Sequence, residues 1–174
     1  MYTLAPGEKS SLVMAYTHGM LVRGEVITAE NVRVNTWLRT QGVPEYMHLI
    51  KPQVIIFGSG SVKTMTYSEI YVPVAMVIGF HPIPPTDNPV DYAEDEKNRV
   101  MVPITALIGT FVVKGKFRIS SLAGLGTSIE LAHTSWSSFY EAEITNPYLP
   151  QMPPLKVPMI LLNPKQVSLA LEAA

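Results

Sequence analysis

Three cations occupy every second position of one apolar stretch of the sequence. Lys114, Lys116 and Arg118 alternate with glycine and phenylalanine, which predicts a β-strand on which the three charged side chains share one face. Such a row can hold a phosphate or an RNA backbone, or it can be an ordinary solvent-exposed face. The solvent-exposed interpretation is favoured, because the aligned stretch in the first half of the chain keeps one of the three charges, as Arg23.

Residue types that support catalysis or metal binding form no recognisable pattern. The absence of cysteine excludes disulfides, thiolate metal sites and a cysteine nucleophile. The four histidines are His18, His48, His81 and His133. They are scattered, and none is spaced from another histidine or a carboxylate cluster as metal ligands are. Glu141 and Glu143 share a predicted strand face without a nucleophile and base beside them. We predict no metal site, no cofactor and no catalytic residue.

A glycine-rich turn runs from Gly124 to Thr127, before a predicted short helix. Free backbone amides at the start of a helix can bind a phosphate. Because the longer glycine fingerprint of a phosphate loop is missing, we favour a turn followed by a helix cap at Thr127.

The composition places the chain among globular proteins. It has 174 residues, with 13 Lys and Arg against 14 Asp and Glu, and 47% of its residues are hydrophobic. These values exclude a protein that coats nucleic acid through a large positive excess, and they exclude a disordered chain. Only 16% of the residues are charged, against about 25% in an average domain. Such a surface is better tolerated when part of it is buried between subunits, so we predict a homo-oligomer.

Neither an export signal nor a membrane-spanning stretch is recognisable in the sequence. The longest stretch without a charged residue is interrupted by prolines, and a spanning helix needs about 20 apolar residues. We therefore predict a cytoplasmic protein that does not associate with membranes.

Residues 81–98 differ in composition from the rest of the chain. They hold four of the 15 prolines and five of the 14 acids, which predicts a surface linker. A solvated connection is favoured over a docking segment for a basic partner. The predicted organisation is a tail at 1–10, one β-barrel repeat at 11–80, the linker at 81–98 and a second β-barrel repeat at 99–174.

The parts on either side of this linker align with each other at an offset of 91 residues. Residues 11–41 then lie over residues 102–132 without gaps, and Gly24 is aligned with Gly115. After a shift in spacing, the run 72–77 matches the run 157–162. We predict an internal duplication.

Both halves are rich in β-branched residues, and proline precedes several apolar runs, which favours strands over helices. The predicted strands cover residues 11–28, 45–57, 62–67 and 69–80 in the first half and 100–119, 136–145, 156–162 and 166–171 in the second. Gly24 and Gly115 interrupt the long first segments, which predicts a bend or bulge at each.

Each half also has one predicted short helix. The first covers residues 37–41, with Asn35 or Thr36 as its cap, and the second covers residues 128–133, with Thr127 as its cap.

One string is more specific than the others. Gly19 to Ile27 reads GMLVRGEVI, and Thr110 to Arg118 repeats it weakly as TFVVKGKFR. The Val-Arg-Gly-acid core resembles the second motif of Sm-like RNA-binding proteins. This resemblance implies a small bent β-barrel on which the arginine and the glycine help form a nucleotide pocket. The candidate ligand-binding residues are Arg23, Gly24, Lys114, Gly115, Lys116 and Arg118.

The predicted fold class is mainly β, with two tandem, internally duplicated small bent sheets or barrels, Sm-like or SH3-like, each with one short helix. The favoured function is a non-enzymatic interaction or assembly module in which the two barrels pack as a pseudo-dimer and contact further copies or a protein partner. The first alternative is an Sm-like RNA-binding protein. The second is a flavin-binding split-barrel enzyme, with the cationic row and Thr127 facing the flavin phosphate.

Overall fold

The computed structural model describes residues 2–58, 61–85, 89–131 and 136–172. The first half consists of β1 (Glu8–Tyr16), β2 (Met20–Ala29), β3 (Tyr46–Gly58), β4 (Ser61–Thr66), β5 (Glu69–Pro73) and β6 (Gly79–Pro82). The second half consists of β7 (Arg99–Ile108), β8 (Phe111–Ser120), β9 (Ser137–Thr145), β10 (Leu155–Leu162) and β11 (Ser168–Ala170). Short helices cover Val34–Arg39 and Val74–Met76, both 3-10, and Leu125–Leu131, which is α1. The predicted mainly β fold with few short helices is confirmed, although the first half has two 3-10 helices rather than one, and the first covers Val34–Arg39 rather than the predicted 37–41.

The described strands form one antiparallel sheet rather than two separate ones. Their order is β11-β7-β8-β9-β10-β6-β1-β2-β3-β4, and β5 pairs with β3 beyond the end of β4. The two halves meet where β6 pairs with β10. Two predicted boundaries differ from the strand ends, because β1 begins at Glu8, within the predicted tail, and β6 continues to Pro82, within the predicted linker. A strand at the predicted domain boundary therefore joins the two halves.

Apart from β4, which has no counterpart among the described strands of the second half, the two halves have the same order of strands. The first half reads β6-β1-β2-β3 followed by β4 and β5, and the second reads β11-β7-β8-β9-β10. The register is also the same: Val13 lies opposite Gly24 in the first hairpin, and Ile104 lies opposite Gly115 in the second. Both pairs are separated by the offset of 91 that the sequence alignment predicts. A common origin of the halves stays a prediction, and a duplication would produce this register.

A β-bulge interrupts the second strand pair of each half, as the glycines predict. The register between β2 and β3 shifts at Gly24, and the register between β8 and β9 shifts at Gly115. The bulged partner strands each place one residue at positive φ, Lys51 at 48° and Glu141 at 49°. A Cβ at Gly115 would lie 2.6 Å from the Phe139 ring, so the close approach of β8 and β9 at this bulge requires glycine.

Beyond the bulge, the register changes one of the predicted correspondences. Glu25 lies opposite Ile50, and Lys116, which is aligned with Glu25, lies opposite Tyr140, so Ile50 corresponds to Tyr140. Ile50 in turn lies opposite Glu69, and Tyr140 lies opposite Met159. Position 69 therefore corresponds to position 159, an offset of 90, whereas the sequence match of 72–77 with 157–162 was wrong by five residues.

The predicted strand over 69–80 is wrong in its middle. β5 ends at Pro73, and the 3-10 turn Val74–Met76 follows before β6 begins at Gly79. The amide of Val74 still bonds to the carbonyl of Glu45, directly before β3, at 2.9 Å, and the amide of Val77 then bonds to the carbonyl of Val74 at 3.1 Å, which closes the turn. The turn separates the strand that pairs with β3 from the strand that pairs with β1.

The predicted helix caps are also wrong. No side chain caps the 3-10 helix Val34–Arg39, and the buried Asn35 donates its amide to the Pro89 carbonyl at 2.9 Å. α1 begins at Leu125, so Thr127 lies inside it rather than before it. The predicted end of this helix at residue 133 lies outside the described residues.

Two hydrophobic clusters form the core, and each one includes residues from both halves. The cluster dominated by the second half includes Tyr16 and Ile78 from the first. The cluster dominated by the first half includes Trp136 and Leu161 from the second. Because a half of this size buries little apolar surface alone, this sharing supports the folding of both.

Candidate functional site

The cationic row on β8 has the alternation that the sequence predicts. Phe117 and Ile119 are buried, whereas the three charged side chains lie on the opposite face. Each cation forms an ion pair with a different acid: Lys114 with Glu172 (2.7 Å), Lys116 with Glu141 (2.6 Å) and Arg118 with Glu96 (2.8 Å). A phosphate on this row must displace these carboxylates, so the positive field that it offers to an anion is weak.

The predicted site residues of the two halves lie far apart in the sheet. Arg23 is exposed on β2, between Met14 of β1 and Gln53 of β3. Four strands, β9, β10, β6 and β1, separate β2 from β8. The glycines beside the cations have a packing role, since a Cβ at Gly24 would lie 3.2 Å from the Leu49 Cβ. The fold does not bring the six predicted residues together as one pocket.

A polar cluster that the sequence did not reveal lies where the halves meet. Asp91 accepts hydrogen bonds from the Tyr140 and Ser138 hydroxyls, both at 2.7 Å, and forms an ion pair with Arg39. Burial raises the pKa of Asp91, but these hydrogen bonds and the guanidinium outweigh burial and lower the pKa below its ordinary value. Burial and the neighbouring carboxylate raise the pKa of Tyr140. Asp91 is therefore ionised at neutral pH and connects three segments.

Residues 91–96, the acidic segment of the predicted linker, are packed against the body rather than fully solvated. Arg118 bonds to Glu96 and to the Ala93 carbonyl, and its guanidinium lies 4.9 Å from the centre of the Tyr92 ring. A pocket of about 430 Å³ is lined by residues of this segment and of the body, among them Arg39, Asp91, Tyr92, Arg99, Arg118 and Trp136. Sequence reasoning missed these contacts because they join residues far apart in the chain.

A buried histidine lies on the joining strand. The ring of His81 is fully buried, with Nδ1 2.9 Å from the Pro82 carbonyl and Nε2 3.0 Å from the Tyr16 hydroxyl. The carbonyl can only accept, so Nδ1 carries the proton and Nε2 accepts from the tyrosine. Burial lowers the pKa of His81 to about 4. This arrangement satisfies a neutral imidazole and leaves neither nitrogen for a metal ion.

The two ends of the sheet expose apolar side chains. At the β4 and β5 end, the exposed residues are Tyr46, Met65, Tyr67 and Tyr71. At the β11 end, Leu107 and Leu171 are exposed. Within the part of the chain that the structure describes, no strand pairs with the outer side of β4, β5 or β11. Both ends combine unpaired backbone with apolar side chains, which is the usual character of a surface that another chain covers.

The described residues include no group of three or more histidine or carboxylate side chains placed to hold a metal ion. Among the helices of the described ranges, none has the length and apolar character that crossing a membrane requires.

The chain matches no protein-family model, and comparisons with curated proteins and with solved structures give no significant match. The resemblance to Sm-like proteins stays a prediction.

Proposed function

We propose that this chain is a non-enzymatic assembly module that associates with copies of itself through the two ends of its sheet. The observation that carries the proposal is the pair of exposed apolar ends. Tyr71 on β5 is 59% exposed, and Leu171, directly after β11, is 61% exposed. These residues lie beside backbone groups that no described strand satisfies.

The surface chemistry supports association rather than catalysis. The best-formed polar cluster, around Asp91, connects segments of the chain and uses its donors and acceptors internally. The buried His81 has a bonding partner at each ring nitrogen. By contrast, the low content of charged residues, 16%, leaves apolar groups on the surface, and burying them between subunits is favourable by roughly 25 cal/mol per Å².

RNA binding is the weaker proposal. Sequence-independent binding to RNA requires cations that are free to neutralise phosphates, and all three cations of the β8 row are held by carboxylates.

Sedimentation velocity tests the proposal with matched lysine substitutions. Leu107→Lys and Tyr71→Lys each introduce a charge at one end of the sheet, whereas Leu122→Lys introduces it at a leucine 92% exposed in the loop before α1. We expect the wild type and Leu122→Lys to sediment as multimers and the two end variants to shift toward the 19.2 kDa monomer. A wild type that is monomeric at every concentration would overturn the proposal.

A further inference from the structure

The joint between the halves is a short antiparallel pairing of two edge strands. Leu161 of β10 lies opposite Phe80 of β6, and both side chains are fully buried. Two residues further along, just beyond the ends of β10 and β6, the amide of Asn163 donates to the carbonyl of Ile78, 2.9 Å away. This joint is the strand pairing through which the two halves of the chain bind each other.

The register identifies which outer strands correspond to the two strands of the joint. Since position 69 corresponds to position 159, Tyr71 of β5 corresponds to Leu161 of β10. On the other side, β6 and β11 both pair with the first strand of their half. Position 79 lies opposite Tyr16, and position 168 lies opposite Leu107, which is aligned with Tyr16 at the offset of 91. Position 168 therefore corresponds to position 79, and Leu169 corresponds to Phe80.

The strands with an unpaired outer side are therefore the counterparts of the two strands that meet at the joint. β5 corresponds to β10, and β11 corresponds to β6. The two outer strands, β5 and β11, lie at opposite ends of the sheet. A copy of the chain that placed its β11 beside β5 of another copy would repeat the internal joint.

The exposed apolar side chains fit this correspondence. Trp136 is buried near the joint, and its counterpart Tyr46 is 49% exposed. Tyr16, beside β6, is buried, and its counterpart Leu107 is 46% exposed. The residues buried at the joint thus have counterparts at the two ends of the sheet that are also apolar but are exposed. This is expected for surfaces that a second copy covers.

We propose that β11 of one copy pairs antiparallel with β5 of the next, with Leu169 opposite Tyr71 and Ser168 opposite Val72. This inference rests on the proposed self-association and specifies its contact. The two contacting surfaces differ, so the contact is heterologous, and repeated addition gives a closed ring or an open filament.

One residue makes the contact between copies weaker than the internal joint. The counterpart of Asn163 is Pro73, which has no N–H to repeat the hydrogen bond to Ile78. Proline on an edge strand also limits uncontrolled strand addition. The association between copies is therefore expected to be reversible and dependent on concentration.

The chain has no cysteine, so engineered disulfides report on the contact without background. Residues directly opposite each other in antiparallel strands have Cα atoms about 4.5–5.5 Å apart, within the range that a disulfide spans. We would oxidise Tyr71→Cys and Leu169→Cys separately and as a mixture. A second pair, Glu69→Cys with Leu171→Cys, lies in the same register and covers the case in which a variant of the first pair does not fold. The control mixture combines Lys63→Cys, on β4, with Leu169→Cys.

We expect disulfide-linked dimers in the matched mixtures and none in the separate variants or the control mixture. A double variant, Tyr71→Cys with Leu169→Cys in one chain, is expected to give a covalent ladder or a closed ring. Folded variants that give no cross-link in either matched mixture, or that cross-link equally in the control, would overturn the proposed register. If the wild type is multimeric in sedimentation while the matched mixtures fail, self-association stands and this contact is wrong.

Discussion

The Tyr140 hydroxyl of β9 donates a 2.7 Å hydrogen bond to Asp91, which lies in the acidic segment between the two halves. The same carboxylate accepts from Ser138 and pairs with Arg39 of the first half. A single side chain of the predicted linker therefore connects this segment to both halves. Substituting Asp91 tests how the halves are held together.

Asp91→Asn removes the charge while keeping the size of the side chain. Hydrogen bonds to a charged group contribute about 1.5–3 kcal/mol each, so we expect the free energy of unfolding to fall by about 2 kcal/mol in urea titrations. The exposed acid Asp95 of the same segment provides the control, and Asp95→Asn should change stability by less than about 0.5 kcal/mol. Equal stabilities of the two variants would show that the Asp91 cluster does not hold the halves together.

The bulge glycine of the second half is expected to be intolerant of any side chain. In Gly115→Ala, the new methyl group would lie 2.6 Å from the Phe139 ring and 2.8 Å from the Tyr140 carbonyl, and such overpacking costs about 1–3 kcal/mol. In Gly126→Ala, within α1, the methyl group meets no atom within 4 Å, and helix propensity favours alanine by about 1 kcal/mol. Thermal unfolding should lower the Tm of the first variant and leave or raise that of the second. A Gly115→Ala protein as stable as the wild type would contradict this account of the bulge.

Stability is expected to fall on mild acidification because of His81. Its pKa is lowered from 6.5 to about 4 in the folded state by burial, so between these values the unfolded chain binds a proton that the folded chain does not. The free energy of unfolding should therefore be independent of this group above pH 6.5. It should decrease by roughly 3 kcal/mol in total as the pH falls to about 4.

Urea titrations at several pH values measure this decrease. His81→Gln should remove much of the dependence between pH 6.5 and 4, whereas His18→Gln, at an exposed histidine, should retain it. A pH dependence that is the same in all three proteins would assign it to other groups.

The β8 cations are expected to bind RNA poorly. In a mobility assay at low salt, wild-type protein should give no shift of a single-stranded RNA, because Lys114, Lys116 and Arg118 are paired. A shift that weakens at higher salt and is lost in Arg23→Gln would instead favour the Sm-like alternative.

Much of the strand pattern was predictable because it depends on local sequence. The alternation around Lys116 predicts both the strand and its buried face, and the glycines at 24 and 115 predict the two bulges. The end of β5 is not predicted, because proline is compatible with an edge strand and nothing in the local sequence marks the turn Val74–Met76 that follows Pro73.

The joint and the ends of the sheet depend on contacts that local sequence does not encode. The pairing of Phe80 with Leu161 joins residues 81 positions apart, and neither residue differs in type from an ordinary core residue. The same holds for Asp91, whose acidic neighbours and prolines are typical of solvated linkers. The low charge content indicated that apolar surface would remain, but only the strand order shows where.

Hydrogen–deuterium exchange of the intact chain at two protein concentrations tests self-association through the sheet ends most directly. If copies associate through these ends, amides of β5 and β11 should exchange more slowly at the higher concentration. Amides in the β1–β2 hairpin should exchange at the same rate at both concentrations. If β5 and β11 exchange at the same rate at both concentrations in a protein that remains monomeric, the proposed assembly is wrong.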